Sequence, residues 1–284
     1  MHDFAFHAPA TLDEALELLA RHNGDAKVMG GGTSLTTLLK QSLIAPDHII
    51  SLHRIQGLDS IEAADGVLRI GGLVTQRQME TSDVVKANAP LLAEAYRRVA
   101  TVRIRNVATV GGGIAQADPA MDPPPSLLIL DASVTATSPR GSRTLPISEV
   151  YADYYETTLE PDEIVTEVQV PVQPTDAQWT YVKYLPRTAD DYATVAVAAI
   201  GRLDGGAIAD VRVGLGAVAP TALRATVVEE ALAGQTPTPE RLREVSQAVA
   251  DIVDPTDDPR GSAWYKRDMS VVFTRRALES VFGL

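Results

Sequence analysis

The 284-residue sequence predicts an α+β fold of three packed lobes, and three kinds of signal carry that expectation. Helix starts are marked by side chains that accept orphan amide protons: Thr11-Leu-Asp-Glu14 reads as a capping box, and Thr238-Pro239 sets an N-cap before a proline at the first helical position. Hairpins are marked by Asp65-Gly66 and by Leu203-Asp-Gly-Gly206, because residues at ease with positive φ match the twist of two paired strands. Two glycine triplets, Gly30 to Gly32 and Gly111 to Gly113, strip every Cβ from a short run of backbone.

Residues 3 to 9 read as an extended opening strand, followed by a helix whose Leu12, Ala15, Leu16 and Leu19 share one face. Ala26 to Met29 is a short strand. The first glycine loop then leads into a helix over Leu35 to Lys40, with Leu35, Leu38 and Leu39 facing inward, and His48 to Leu52 is a strand that closes a first lobe, residues 1–54. The order strand, loop, helix suits a nucleotide site, yet neither Gly-x-x-x-x-Gly-Lys-Ser/Thr nor Gly-x-Gly-x-x-Gly is present, so neither standard nucleotide fold is supported.

A second lobe, residues 55–176, opens with the hairpin around Asp65-Gly66. Helices follow from Thr75 and over Leu91 to Ala100, and the chain then reaches the second glycine run. Asp122-Pro-Pro-Pro125 fits a helix start and no helix interior. Leu127 to Leu130 reads as buried helix, and Ser133 to Thr137 and Glu163 to Val170 read as strands. Pro, Gln and Asp between Pro171 and Asp176 mark a boundary. The third lobe, residues 177–284, is expected to hold strands over Trp179 to Leu185, Ala193 to Leu203 and Ala207 to Ala217. Helices are expected over Ala222 to Ala233, Thr238 to Val253 and Ser262 to Val281.

Composition excludes several functions. The net charge of −12, from 37 acidic and 25 basic side chains, repels a nucleic-acid backbone or an anionic membrane surface. No apolar run reaches the roughly 18 to 20 residues that span a bilayer, and the first residues lack the pattern of a signal peptide, so a cytoplasmic protein is expected. There is no cysteine, hence no cysteine-ligated iron–sulfur cluster, thiolate zinc site or cysteine nucleophile within the chain. The five histidines, His2, His7, His22, His48 and His53, are scattered without metal-ligand spacing, and no metal site is expected.

The functional expectation rests on the two glycine stretches, Lys27-Val-Met-Gly30-Gly31-Gly32-Thr33-Ser34-Leu35 and Thr101-Val-Arg-Ile-Arg-Asn-Val-Ala-Thr109-Val-Gly111-Gly-Gly113-Ile-Ala-Gln116-Ala-Asp118-Pro-Ala-Met-Asp122. Backbone without Cβ lets amide N–H groups close on an anion, and two such cradles suggest a diphosphate. Taken alone, Gly30 to Gly32 reads equally well as a tight strand-to-helix turn. The two stretches resemble the signatures of the flavin-binding subunit of the molybdenum hydroxylases, the family of xanthine dehydrogenase and aerobic carbon monoxide dehydrogenase. Tyr181-Val-Lys183 and Gly214-Leu-Gly-Ala-Val-Ala-Pro220-Thr-Ala-Leu-Arg224-Ala resemble later blocks of the same family, so the similarity runs over nearly the whole chain.

The resemblance implies a vanillyl-alcohol-oxidase-like (PCMH-type) two-lobe FAD-binding domain followed by an α+β domain with a small antiparallel sheet and helices. It implies FAD contacts from Lys27, Val28, Met29, Gly30, Gly31, Gly32, Thr33 and Ser34 in the first lobe. From the second lobe it implies Thr101, Thr109, Val110, Gly111, Gly112 and Gly113. Asp122 is either a helix N-cap or, as the family spacing suggests, a carboxylate that accepts from a ribose hydroxyl, and Asp118 is a turn-former. Lys183 is either a solvated lysine on a half-exposed sheet or, by resemblance, a cation near the flavin, with Tyr192 as an aromatic over the ring. Arg103 and Arg105 read as surface charges or interface residues. Gly113 and Gln116 depart from the family's usual Asn or Asp and His, Gly30 replaces an alanine, and Pro186-Arg187-Thr188 departs from an arginine-rich version.

No catalytic triad or acid–base pair stands out, and no catalytic residue is assigned. The expected role is an oxidoreductase subunit that carries FAD and transfers electrons. In the family, a large subunit holds the molybdenum–pterin cofactor and a small subunit holds [2Fe-2S] clusters, as a dimer of heterotrimers serving an external electron acceptor. Two other readings stand beside it. One is a self-contained FAD-dependent oxidase or dehydrogenase of a small alcohol or amine, and the other is a non-enzymatic nucleotide-binding module.

Overall fold

A computed structural model describes residues 3–22, 24–186, 188 and 190–284. His2 and Arg187, which figure in the sequence reading, lie outside the described residues. The first lobe runs β1 (Ala5–His7), α1 (Leu12–Arg21), β2 (Ala26–Met29), α2 (Thr33–Lys40) and β3 (His48–Ser51), with the strands parallel in the order β1-β3-β2. The Thr11 hydroxyl accepts the Glu14 amide at 3.2 Å, while the Glu14 carboxylate accepts from Ala10, one residue ahead of the expected box. Ala15, Leu16 and Leu19 pack α1 on Ile50 and Leu52.

The second lobe begins with the hairpin of β4 (Ile61–Ala64) and β5 (Val67–Gly71), whose turn has φ of 53° at Asp65 and 77° at Gly66, as a type I′ turn needs. Six helices follow: α3 (Gln76–Thr81), α4 (Asp83–Asn88), α5 (Pro90–Arg97), α6 (Val102–Arg105), α7 (Val110–Gln116) and α8 (Pro123–Ile129). Then come β6 (Ser133–Ser138), β7 (Gly141–Pro146), the small hairpin β8 (Tyr151–Asp153) and β9 (Glu156–Thr157), and β10 (Ile164–Pro171). The antiparallel sheet has the order β4-β5-β10-β6-β7. Strand β7 is an addition to the sequence reading. It is an exposed edge whose residues do not alternate in burial, so no period of two marks it.

The third lobe comprises β11 (Gln178–Tyr184), β12 (Val195–Asp204), β13 (Ala207–Gly216) and β14 (Leu223–Arg224), then α9 (Thr226–Leu232), α10 (Pro239–Ser246), α11 (Val249–Ile252) and α12 (Ala263–Phe282). Two expected helices are corrected. The first starts four residues later because Leu223 and Arg224 pair with β13 as an edge strand. The second is divided in two near Ser246, whose hydroxyl donates back to the Leu242 carbonyl, a bond that bends helices.

The β11–β14 sheet is packed on both faces. Tyr181, Ala196, Ala198 and Ile200 join the second lobe's core, with Leu92, Leu127 and Ile129, while Val195, Val197 and Ala199 face the core formed with α9, α10 and α12. Helix α8 approaches β13 so closely that a Cβ at Gly214 would stand 2.5 Å from the Pro125 carbonyl oxygen and 2.9 Å from Ile129 Cγ2. The substitution Gly214→Ala is therefore expected to destabilise the chain by about 2 to 4 kcal/mol in urea unfolding. Gly206→Asn, on an open hairpin turn with φ of 87°, should stay within about 1 kcal/mol of the parent.

Candidate functional site

The first glycine loop joins β2 to α2 and ends with Gly32 in the left-handed conformation (φ 71°, ψ 3°) as the N-cap of α2. No side chain caps this helix. The amide N–H groups of Gly31, Gly32, Thr33 and Ser34 have no hydrogen-bond partner among the described residues, although all four residues are partly buried. Half-buried, unpartnered amides at a helix N-terminus form a nest for an anion. The Met29 thioether lies beneath the loop, 3.0 Å from where a Gly32 Cβ would stand. Val28 packs on the first lobe's core, and Lys27 is exposed.

The second run behaves differently from the sequence reading. Its glycines lie in the first turn of α7, without positive φ, and their amides are already spent. Val110 donates to the Val74 carbonyl and Gly111 to that of Gly72, both at 2.9 Å. Gly112 donates to the Thr109 hydroxyl at 3.2 Å and Gly113 to the Thr109 carbonyl at 3.0 Å. The second cradle is thus a capped helix start rather than a set of free amides. The Val110 side chain is buried in the second lobe's core. Thr101 accepts from Ile104 as the N-cap of α6.

What the second run contributes is close approach. A Cβ on Gly31 would lie 1.8 Å from the Val107 carbonyl oxygen, and one on Gly30 would lie 2.5 Å from Thr109 Oγ1. The nest of the first lobe is therefore pressed against the residues that start α7. A Cβ at Gly111 would meet the Gly72 carbonyl at 2.8 Å, whereas one at Gly113 would meet only the mobile end of Met121, Cε at 2.9 Å, and Gln76 Nε2 at 3.5 Å. Gly112 is exposed, and a Cβ there would meet only Thr109 Oγ1, so its outer side is open. The Thr109 hydroxyl accepts from Gly112 and keeps its own proton to donate.

Asp122 and Lys183 are brought together, and the helix-cap reading of the one and the solvated-lysine reading of the other are corrected. Asp122 stands at the N-cap of α8 but makes no side-chain cap, because Pro123, Pro124 and Pro125 have no amide protons to offer. Its carboxylate accepts instead from the Tyr181 hydroxyl at 2.8 Å and from the Lys183 ammonium at 2.9 Å, and Lys183 also donates to the Arg98 carbonyl at 2.8 Å. The side chains are 4% and 3% exposed, so Lys183 is no solvated lysine and the two charges neutralise each other in the interior. Burial raises the Asp122 pKa to about 6, against the opposing pull of Lys183 and Tyr181.

Tyr192 is 46% exposed, with the Arg260 guanidinium 5.6 Å above its ring. Burial of its hydroxyl, and then the adjacent Asp118 carboxylate, raises its pKa, and Tyr155 reaches the same carboxylate. Asp118 forms the expected turn, accepting the Ala120 amide at 2.9 Å. Tyr155 and Arg260 come to this place through the fold, and no local motif marks either in the sequence. Arg105 is no surface charge. It is buried, paired with Glu80 at 2.9 Å, and donates to the carbonyls of Val99 and Ala100.

The arrangement can therefore hold an extended anion on the Gly31 to Ser34 amides beside the Thr109 hydroxyl. Comparison with known proteins identifies the family. The family described as FAD binding domain in molybdopterin dehydrogenase matches residues 2–173, and the CO dehydrogenase flavoprotein C-terminal domain matches residues 180–281. The carbon monoxide dehydrogenase medium chain of Hydrogenophaga pseudoflava is 34% identical over 280 residues, 99% of this chain and 97% of its own. The xanthine dehydrogenase FAD-binding subunit of Escherichia coli is 33% identical over 98% of this chain and 96% of its own. Among solved structures, carbon monoxide dehydrogenase from Hydrogenophaga pseudoflava superposes with a TM-score of 0.95 at 36% identity, covering 99% of this chain and 97% of that one. Quinoline 2-oxidoreductase from Pseudomonas putida 86 gives 0.94 at 28% identity, covering 99% and 97%.

A carboxyl whose folded pKa lies above its unfolded value binds its proton more tightly in the folded state. Asp122 therefore contributes a loss of stability as pH rises from 3.8 towards about 6. In Asp122→Asn that loss is removed, so unfolding free energies measured in urea between pH 4 and 6 should slope more positively with pH than in the parent, by up to about 1 kcal/mol per pH unit. Equal slopes would contradict the raised pKa.

Proposed function

Because the chain belongs to the family of FAD-binding subunits of molybdopterin dehydrogenases, we propose that it is the FAD-carrying, electron-transferring subunit of a molybdenum hydroxylase complex. The observation that carries this reading is the set of unpartnered amides from Gly31 to Ser34, pressed against the start of α7. When bound, FAD supplies the redox chemistry, accepting electrons from [2Fe-2S] clusters of a partner and releasing them to an external acceptor.

The chain's own residues have holding and positioning roles. Gly31, Gly32, Thr33 and Ser34 would donate amide protons to the diphosphate, with Thr109 adding its hydroxyl. Gly112 leaves room on the second lobe. Asp122 and Lys183 tie α8 of the second lobe to β11 of the third, and Tyr192, held by Asp118 and Arg260, is the aromatic assigned to the flavin ring. The division into lobes 1–54, 55–176 and 177–284 belongs to the same proposal. So does assembly with a large molybdenum-binding and a small iron–sulfur subunit as a dimer of heterotrimers. No helix among the described residues is long and apolar enough to cross a membrane, and a cytoplasmic complex is proposed.

Two measurements test this reading. Stopped-flow bleaching of the flavin band should be absent when small alcohols, amines or aldehydes meet the FAD-loaded chain alone, and present when the iron–sulfur and molybdenum subunits are added. Rapid bleaching of the lone chain would overturn the assignment in favour of a self-contained oxidase. At the loop, Gly32→Val should weaken FAD binding at least about tenfold, since a β-branched residue is strained at φ of 71° and the nest would collapse. Unchanged affinity in a folded variant would remove the loop from the site.

A further inference from the structure

The histidines that look scattered in the sequence are not scattered in the fold. His7 stands at the end of β1, His22 is the C-cap of α1 and His48 opens β3, so three elements of the first lobe each contribute one imidazole. His7 Nε2 and His48 Nδ1 are 3.0 Å apart. The His22 and His48 rings stack at 3.6 Å between centroids, and His7 lies 5.7 Å from His22. One nitrogen from each of the three falls within 4.8 Å of the others, and all three side chains are partly buried.

We propose that His7, His22 and His48 form a binding site for one divalent transition-metal ion of the zinc class. Imidazole nitrogens bind zinc at about 2.0 to 2.1 Å, which places ligands of a tetrahedral ion about 3.4 Å apart; His7 and His48 already stand near that spacing, and binding would open the His22–His48 stack so that each ring aims one nitrogen at the ion. Zinc takes neutral imidazole, and each ring keeps its single proton on the nitrogen turned away from the ion. Open positions on the ion are filled by water. No function of the flavin site is involved: the glycine loop follows the C-terminal end of β2, while His22 and His48 lie at the other end of the parallel sheet, where Ala26 pairs with His48. An ion there would clip α1, β1 and β3 together.

The test uses the full-length, tag-free, FAD-loaded chain, stripped with chelator and titrated with zinc chloride against a metal indicator. One zinc ion should bind per chain. His22→Gln and His48→Gln should each weaken binding at least about tenfold, while His53→Gln, outside the cluster, should bind as the parent does. Zinc should also raise the melting temperature of the parent by about 5 °C at a hundredfold excess over Kd, and leave His22→Gln unmoved. As a check that needs no variant, imidazole NMR signals of His7, His22 and His48 should shift on adding zinc while that of His53 does not. Absence of stoichiometric binding, unweakened binding in His22→Gln, or a shift confined to other histidines would overturn the proposal.

Discussion

Where Gly31 passes Val107, backbone meets backbone, and the placement of the candidate diphosphate loop depends on that contact. A Cβ at this point would stand 1.8 Å from a carbonyl oxygen, a separation no side chain can relax, so the first and second lobes approach closely only because the residue is glycine. The consequence reaches outward. With Gly31 fixed against Val107 and Gly30 against Thr109, the amides from Gly31 to Ser34 are held in one orientation beside a threonine hydroxyl. Gly111, for its part, seats the start of α7 against the carbonyls of Gly72 and Val165. The two runs divide the labour: one keeps its amides free for a ligand, and the other spends them on the fold that positions the first.

The third lobe is registered on this frame by a buried charge pair. Asp122 and Lys183 lose their hydration, and such pairs add little net stability once desolvation is counted. Removing one partner, however, strands the other in the interior. The pair thus favours one relative placement of α8 and β11, and Tyr181 and the Arg98 carbonyl complete its hydrogen bonding. That placement carries β12 and the segment before it, including Tyr192, to the side of the molecule where Asp118 and Tyr155 stand.

Much of the fold was legible in local chemistry. The Thr11 and Thr238 caps, the helix start at Thr75, the Asp65-Gly66 turn and the strand β10 all appear where their residues place them, because each signal acts within a few residues along the chain. The glycine runs marked the right neighbourhood for the site. Their division of roles was hidden, since whether an amide is free depends on Gly72 and Val74, far away in sequence. Lys183 and Asp122 are 61 residues apart, and only the prolines after Asp122 hinted that its carboxylate would look elsewhere than to its own helix. The histidine cluster was invisible for the same reason, as its members come from three elements that meet only in the folded lobe.

In the proposed site the first loop's amides are the anion donors and the second run's are structural. Amide hydrogen exchange with and without FAD reads this residue by residue. The amides of Gly31 to Ser34 should exchange rapidly in the free chain and become strongly protected with FAD, while Gly111 to Gly113 should already be protected in the free chain and change little. Protection that appears at Gly111 to Gly113 on binding, with Gly31 to Ser34 unchanged, would contradict the account.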